Sequence, residues 1–271
     1  MRILICGDIV GRSGRTVVLE NIKRLRAQLE LDFIVVNGEN AAGGFGITPK
    51  ICNQFIDAGI HAITTGNHVF DQREIIPHFD RENRLLRPHN YPKTTPGAGA
   101  AIFEATRGRK VLIVHLMTRL FMDALDDPFA CAAQALETHR LKQNGIDAII
   151  FDVHGEASSE KMAMAHMVDG RASVVVGTHT HVPTGDAHIL TGGTAYQTDI
   201  GMCGDYDSVI GMKKQTSVER FVRKMPTARL EAADGEATLC ATFVETDDDT
   251  GLARRVEPLR LGGILSPTMP E

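Results

Sequence analysis

The chain has 271 residues, 43% of them apolar, and a formal net charge of −5 with acids and bases mixed along its length. That supplies a core for one large α/β domain or two small ones, and the absence of any Lys/Arg run excludes the broad cationic footprint that duplex nucleic acid requires. The apolar N-terminal run is too short for a signal peptide and no stretch approaches the ~18 apolar residues of a membrane span, so a cytoplasmic location away from any membrane is expected.

Short β-branched runs recur and alternate with helical spacing. Taken along the chain, Ile3 to Cys6 reads as a buried strand and Ser13 to Leu29 as a helix; Phe33 to Val36 and His61 to Thr64 flank a second helix over Pro49 to Ala58. Val111 to His115, Ala148 to Val153 and Ala172 to Val176 continue the strands, with helices over Pro128 to Gln143 and Glu156 to Val168. Ser13, Thr48 and Asp127 are suitable helix starts. After about residue 185 the rhythm changes. Ala187 to Leu190 and Thr194 to Gln197 flank Thr191-Gly192-Gly193 as a hairpin, and Ala237 to Glu245 and Leu252 to Pro258 flank the acidic turn at Asp247-Asp248-Asp249, so the late section reads as antiparallel. No linker, repeat or low-complexity tract interrupts the chain, which predicts a single domain over residues 1–271. Its architecture is expected to be a four-layer α/β/β/α sandwich of two mixed sheets packed face to face. The five cysteines, odd in number and without a C-x-x-C, read as reduced packing thiols.

Polar residues gather just past the predicted strands, where open α/β sheets hold their ligands. Five turns stand out: Gly7-Asp8, Asn37-Gly38-Glu39-Asn40, Thr65-Gly66-Asn67-His68, Asp152-Val153-His154 and Gly177-Thr178-His179-Thr180-His181. Each alone has an ordinary explanation as a cap, a turn or a satisfied histidine. Together they offer two carboxylates (Asp8, Glu39), two carboxamides (Asn40, Asn67) and three imidazoles (His154, His179, His181) without a thiolate. That donor set suits Fe(II), Mn(II) or Zn(II) and disfavours a dedicated calcium site. It exceeds what one ion needs; two ions sharing a bridging carboxylate would use it and would activate a bridging water as hydroxide for attack on phosphorus.

These turns resemble the motifs of the calcineurin-like metallophosphoesterases. A closer resemblance, to the bacterial YmdB-like branch of 2′,3′-cyclic-nucleotide 2′-phosphodiesterases, rests on Gly7-Asp8-Ile9-Val10-Gly11-Arg12, the Asn37 to Gly46 string, Leu86 to Pro92, Ser159-Glu160-Lys161 and Gly177 to Val182. The first superfamily motif usually reads Asp-x-His, whereas Ile9 and Val10 follow Asp8 here; Glu39 stands where a bridging Asp is usual, with Asn40 beside it as the replacement ligand. The resemblance implies one metal on Asp8, Glu39, Asn40 and His181 and a second on Glu39, Asn67, His154 and His179. It implies iron, with manganese able to substitute, and His68 as proton donor to the departing ribose oxygen. The small-molecule substrate would be a 2′,3′-cyclic nucleotide, opened to the 3′-nucleotide. Phe45, in the glycine-rich Ala42 to Gly46 turn, could stack on the base, and Thr118 and Arg119 could reach the phosphate. His115, at a strand end, is the one further histidine of interest. Two other readings are compatible with the ligand set: a broader phosphodiesterase or phosphomonoesterase acting on 3′,5′-cyclic nucleotides or RNA ends, and a nucleotide- or metal-sensing regulator. A homo-oligomer is compatible with the scattered surface apolar residues.

Overall fold

The computed structural model describes residues 1–226 and 228–270. In chain order its elements are β1 (Arg2–Val10), α1 (Gly11–Gln28), β2 (Phe33–Asn40), α2 (Pro49–Asp57), β3 (Ala62–Thr64), β4 (Ala100–Glu104), β5 (Lys110–Met117), α3 (Pro128–Thr138), β6 (Ile146–His154), α4 (Ser158–Val168), β7 (Val174–Thr178), β8 (His188–Ile189), β9 (Ala195–Gln197), β10 (Met202–Asp205), α5 (Lys214–Arg223), β11 (Ala237–Thr246) and β12 (Ala253–Leu261).

Successive side chains leave a strand on opposite faces, so a strand that is apolar at every position needs a layer on each side. Leu4 and Cys6 of β1 and Ile34 and Val36 of β2 pack against Val18, Ile22 and Leu25 of α1 and Phe55 of α2. Ile3, Ile5, Phe33 and Val35, on the other face, meet Val111, Ile113, Ile150 and Val176 of the second sheet. That sheet's outer face, carrying Leu112, Val114, Phe151 and Val153, is covered by Leu136 of α3 and Met164 and Val168 of α4. The outcome is the α/β/β/α sandwich expected from the sequence.

The first sheet has the order β12-β11-β10-β1-β2-β3, with β11 also pairing β1, and the second β4-β5-β6-β7-β9-β8. The late section is not simply antiparallel. The β8–β9 and β11–β12 pairs are, but β9 runs parallel to β7, and β10 runs parallel to β1 after the chain has crossed from the second sheet to the first. Helix α3 ends at Thr138, short of the expected Gln143, because His139 adopts extended backbone. Thr48 and Asp127 do cap α2 and α3, accepting from Ile51 N and Phe129 N, whereas α1 starts at Gly11, ahead of the expected Ser13, whose hydroxyl donates to Ala233 O. Helix α5 was not anticipated; only Ser217 on it is buried, and Val218, Phe221 and Val222 face solvent. All five cysteines are unpaired thiols. Among the described residues no helix is long and apolar enough to cross a membrane.

Candidate metal centre

Parallel pairing aligns the strand ends within each sheet: Asp8 lies opposite Asn37 and Asn37 opposite Thr64 in the first, and His154 opposite Thr178 in the second. The β1–β2 register breaks on either side of Asp8. Such a bulge re-aims a side chain at the end of a ladder, and Asp8 Oδ2 accepts a 3.0 Å hydrogen bond from His179 N of the opposite sheet. Beyond β7 the chain turns through left-handed backbone at His179 (φ 99°) and His181 (φ 65°). Non-glycine residues adopt that region at a cost that a folded surround must offset, and such costs cluster at functional sites.

The donor atoms form two groups that share Glu39. One carboxylate oxygen and one imidazole nitrogen each from Glu39, His154 and His179 lie within 4.8 Å of one another, and so do donors of Asp8, Glu39 and His181. Asn67 Oδ1 is 3.1 Å from His154 Nε2, beside the first group; Asn40 Oδ1 is 3.2 Å from His181 Nε2, beside the second. All seven residues expected as ligands are therefore brought together. Asp8, Glu39, Asn40, His154 and His181 are buried.

Neighbouring groups decide which nitrogen each ring presents. Thr178 Oγ1 donates to Asp152 Oδ1 (2.8 Å) and so accepts from His154 Nδ1 (2.9 Å), so that the neutral ring carries its lone pair on Nε2. His181 Nδ1 donates to Ile210 O at 2.7 Å, again leaving Nε2. His179 presents Nδ1 to the cluster, 3.1 Å from His154 Nε2, with its Nε2 3.4 Å from Glu156 Oε2. Fixing the far nitrogen in this way is the usual means of orienting a ligating imidazole. Asn40 is turned likewise, its Nδ2 donating to Gly44 O at 2.9 Å.

The electrostatics fit a cation. Burial pushes the Asp8 carboxyl up to about 6, partly offset by His181 and His154. Burial would do the same to Glu39, but the adjacent His154 holds it well below the usual carboxylate range. His154 is itself raised to about 9, because Glu39 outweighs its burial, while burial and His154 drive His179 down to about 3. Two buried carboxylates thus draw one proton onto an imidazole, and Asp8 Oδ1 has no hydrogen-bond partner among the described residues. A divalent ion would take over that positive charge and that empty acceptor. The space is reserved as well: a Cβ on Gly66 would come within 2.0 Å of Glu39 Oε2 and 2.2 Å of His154 Nε2.

His68 stands at the rim, partly exposed, its Nδ1 2.8 Å from Asp71 Oδ2 and its backbone N–H on Glu39 Oε2 at 3.3 Å. Phe45 packs edge-on to the His68 ring at 5.1 Å, and its carbonyl is held by Gln72 Nε2 at 2.7 Å. Thr118 is buried next to the centre, with its backbone N–H on His154 O and its hydroxyl unpartnered among the described residues. Arg119 is exposed and turned toward Asp127 at 3.8 Å. His115 is buried behind His154, with ring centroids 6.3 Å apart, and burial lowers its pKa. Arg87 and Asn90 bind backbone groups and hold their own loop to β5.

Sequence reading gave no role at the centre to Asp71, Asp152 or Lys161, and took Asp199 only as part of the Asp199 to Gly204 stretch that resembles a family loop near the site. Asp71 and Asp152 lie within three residues of His68 and His154, so proximity was a usable signal. For Lys161 and Asp199 no spacing pointed to a pairing: Lys161 Nζ reaches Asp199 Oδ2 and Thr178 O, both at 2.8 Å, and Asp199 Oδ2 accepts from Thr180 N at 3.1 Å. That buried ion pair clamps the loop bearing both late histidines.

A family model described as YmdB-like protein matches residues 4–259. A protein of Bacillus subtilis (strain 168) named 2′,3′-cyclic-nucleotide 2′-phosphodiesterase is 44% identical over 257 residues, which is 95% of this chain and 96% of that one. Among solved structures, a hypothetical protein from Thermus thermophilus superimposes with a TM-score of 0.89 at 39% identity, covering 97% of this chain and all of that one. A Mycoplasma pneumoniae protein described as a novel phosphatase gives a TM-score of 0.88 at 30% identity over 97% of this chain and 93% of that one.

Proposed function

This chain belongs to the YmdB-like family, and from that membership we infer that it is a phosphodiesterase hydrolysing 2′,3′-cyclic nucleotides to 3′-nucleotides at a two-metal centre. The observation that carries the reading is the pair of donor groups sharing Glu39 at the edge where both sheets end. Asp8, Glu39, Asn40 and His181 are proposed to hold one ion, and Glu39, Asn67, His154 and His179 the other. Iron is the first choice and manganese the second, in keeping with an oxygen- and imidazole-only donor set. When bound, such ions supply positive charge against the phosphate and make hydroxide available at neutral pH.

The chain's own groups supply the rest. Hydroxide attacks phosphorus, the P–O2′ bond breaks, and the phosphate stays on O3′. The departing O2′ takes a proton from Nε2 of His68, whose Nδ1 is fixed by Asp71; general-acid help of this kind contributes ~10²–10⁴-fold. Phe45, beside His68, offers a face for the base, and the Thr118 hydroxyl, with no partner among the described residues, offers a contact to phosphate. Arg119 is a weaker phosphate contact, being engaged near Asp127. We read residues 1–271 as one cytoplasmic domain, and the exposed Phe221, Val222 and Met225 support a homo-oligomer.

The test is metal analysis of anaerobically purified protein together with product analysis on adenosine 2′,3′-cyclic phosphate. About two iron or manganese ions per chain and 3′-AMP as product are expected for a dinuclear site. One ion or none after reconstitution, with no turnover, would sink the reading and favour a sensor; release of 2′-AMP would mean that the other P–O bond is broken.

A further inference from the structure

A cavity of about 470 Å³ lies beside the rim of the centre, lined by Phe45, Asp71, Arg220, Pro226, Arg229 and Leu230 among others. Two of its walls touch His68: Asp71 through the 2.8 Å contact and Phe45 edge-on at 5.1 Å. It therefore begins where the proposed proton donor stands. Its volume falls in the ~300–1,000 Å³ range of small-molecule sites.

Two guanidinium groups stand in its wall, in a chain of net charge −5. Lys213, Lys214 and Arg223 of the same segment are paired with Glu231, Asp207 and Glu219. Arg220 and Arg229, which line the cavity, have no carboxylate partner among the described residues. The Arg229 guanidinium sits 6.0 Å from the centroid of the Phe45 ring. The one carboxylate in the lining, Asp71, faces His68. Unpaired guanidinium groups next to an aromatic face match a phosphate adjoining a stacked base.

A 2′,3′-cyclic nucleotide has one ribose oxygen left for further phosphate, namely O5′. We propose that this cavity is a subsite for a second phosphate carried on O5′ of the nucleoside whose cyclic phosphate lies at the metal centre. The inference rests on the function proposed above. It names the preferred substrates as 5′-phosphorylated nucleoside 2′,3′-cyclic phosphates or RNA ends bearing a 2′,3′-cyclic phosphate, rather than the bare mononucleotide.

The experiment compares kcat/KM of metal-loaded protein on adenosine 2′,3′-cyclic phosphate, on its 5′-phosphorylated form, and on the dinucleotide ApA ending in a 2′,3′-cyclic phosphate. The phosphorylated substrates are expected to be better by roughly tenfold or more, an advantage that shrinks on added salt because a charge–charge contact is screened. The double substitution Arg220→Ala/Arg229→Ala is expected to bring the ratio close to one. A gain for both substrates means that a monoester suffices; a gain for the dinucleotide alone points to RNA ends. Equal kcat/KM for all three in the wild-type protein overturns the subsite while leaving the proposed activity intact. If none is turned over, the activity has failed and calorimetry judges the subsite separately. Tighter binding of adenosine 3′,5′-bisphosphate than of 3′-AMP, lost in the double variant, keeps it, and equal binding overturns it.

Discussion

Asp71 lies outside both donor groups; its carboxylate is engaged by His68 Nδ1. By holding His68, Asp71 acts on the chemical step more than on affinity for the bare 2′,3′-cyclic nucleotide, the substrate on which it is tested. Asp71→Asn is therefore expected to lower kcat by about 10–100-fold, within the range of general-acid catalysis, with KM and metal content little changed; unchanged kcat would remove Asp71 from the mechanism. A different residue, away from the centre, contributes to the loss of stability in acid. His61 stacks on Phe33 at 4.8 Å and its Nδ1 accepts from Ile34 N at 3.0 Å, so the fold requires a neutral ring. Burial, helped by Arg26, depresses its pKa to about 4 from an ordinary 6.5. Below pH 6.5 the unfolded chain binds a proton that the folded chain refuses, so this contribution is complete above that pH and drains away as pH falls toward 4. His61→Phe is expected to flatten the fall in Tm between pH 6.5 and 4 relative to wild type; parallel pH profiles would show that other groups, the centre's histidines included, carry the acid sensitivity. The turn residues at the centre were legible in the sequence because polar, metal-type groups interrupt apolar strands at their ends. The tautomers were not, since they depend on partners as remote as Ile210 O, 29 positions from His181.

Among the elements, the loop between β7 and β8 depends on a contact that no local pattern announces. Lys161 of α4 is fully buried, and its ammonium meets Asp199 on the crossing from β9 to β10. Removing one partner of a buried pair strands the other charge, at a cost of ~3–5 kcal/mol. At about 2–4 °C per kcal/mol for chains of this size, Lys161→Met is expected to lower Tm by ~6–20 °C. Because Asp199 also holds Thr180 N, metal affinity is expected to fall with it, whereas Lys161→Met/Asp199→Asn recovers part of the Tm. If calorimetry finds the single and double variants equally stable, the stranded charge is not the cause. The same locality explains which elements sequence reading found. Helices α1 to α4 and the long strands carry an apolar face and end in caps or turns. Strand β10 is four residues long, too short to show a period, and α5, whose Val218, Phe221 and Val222 do fall at helical spacing, turns them to solvent and not to the core.

For the whole molecule, layer order was legible and strand order was not. Apolarity on both faces of β1, β2, β5 and β6 requires four layers, but nothing in composition states that β10 must leave the second sheet and lie beside β1. That crossing carries Asp199 to the bottom of the centre, where it ties the His179 to His181 loop to the end of the first sheet through Gly201 N at 2.9 Å. The centre is itself a junction between sheets: Asp8, Glu39 and Asn40 end strands of the first, while His154 ends β6 and His179 and His181 follow β7 of the second. An ion bound there would join the two sheets in the folded state alone, so it would stabilise by mass action, about 2.7 kcal/mol at a hundred times its dissociation constant. Chelation is therefore expected to lower Tm by ~5–10 °C, with the shift restored by added iron or manganese. Glu39→Gln, which removes a charge from both donor groups, is expected to melt at one temperature whether or not chelator is present. A wild-type Tm indifferent to chelator, in protein shown to contain metal, would mean that the ions are held by one sheet and leave the junction between the layers to its apolar core.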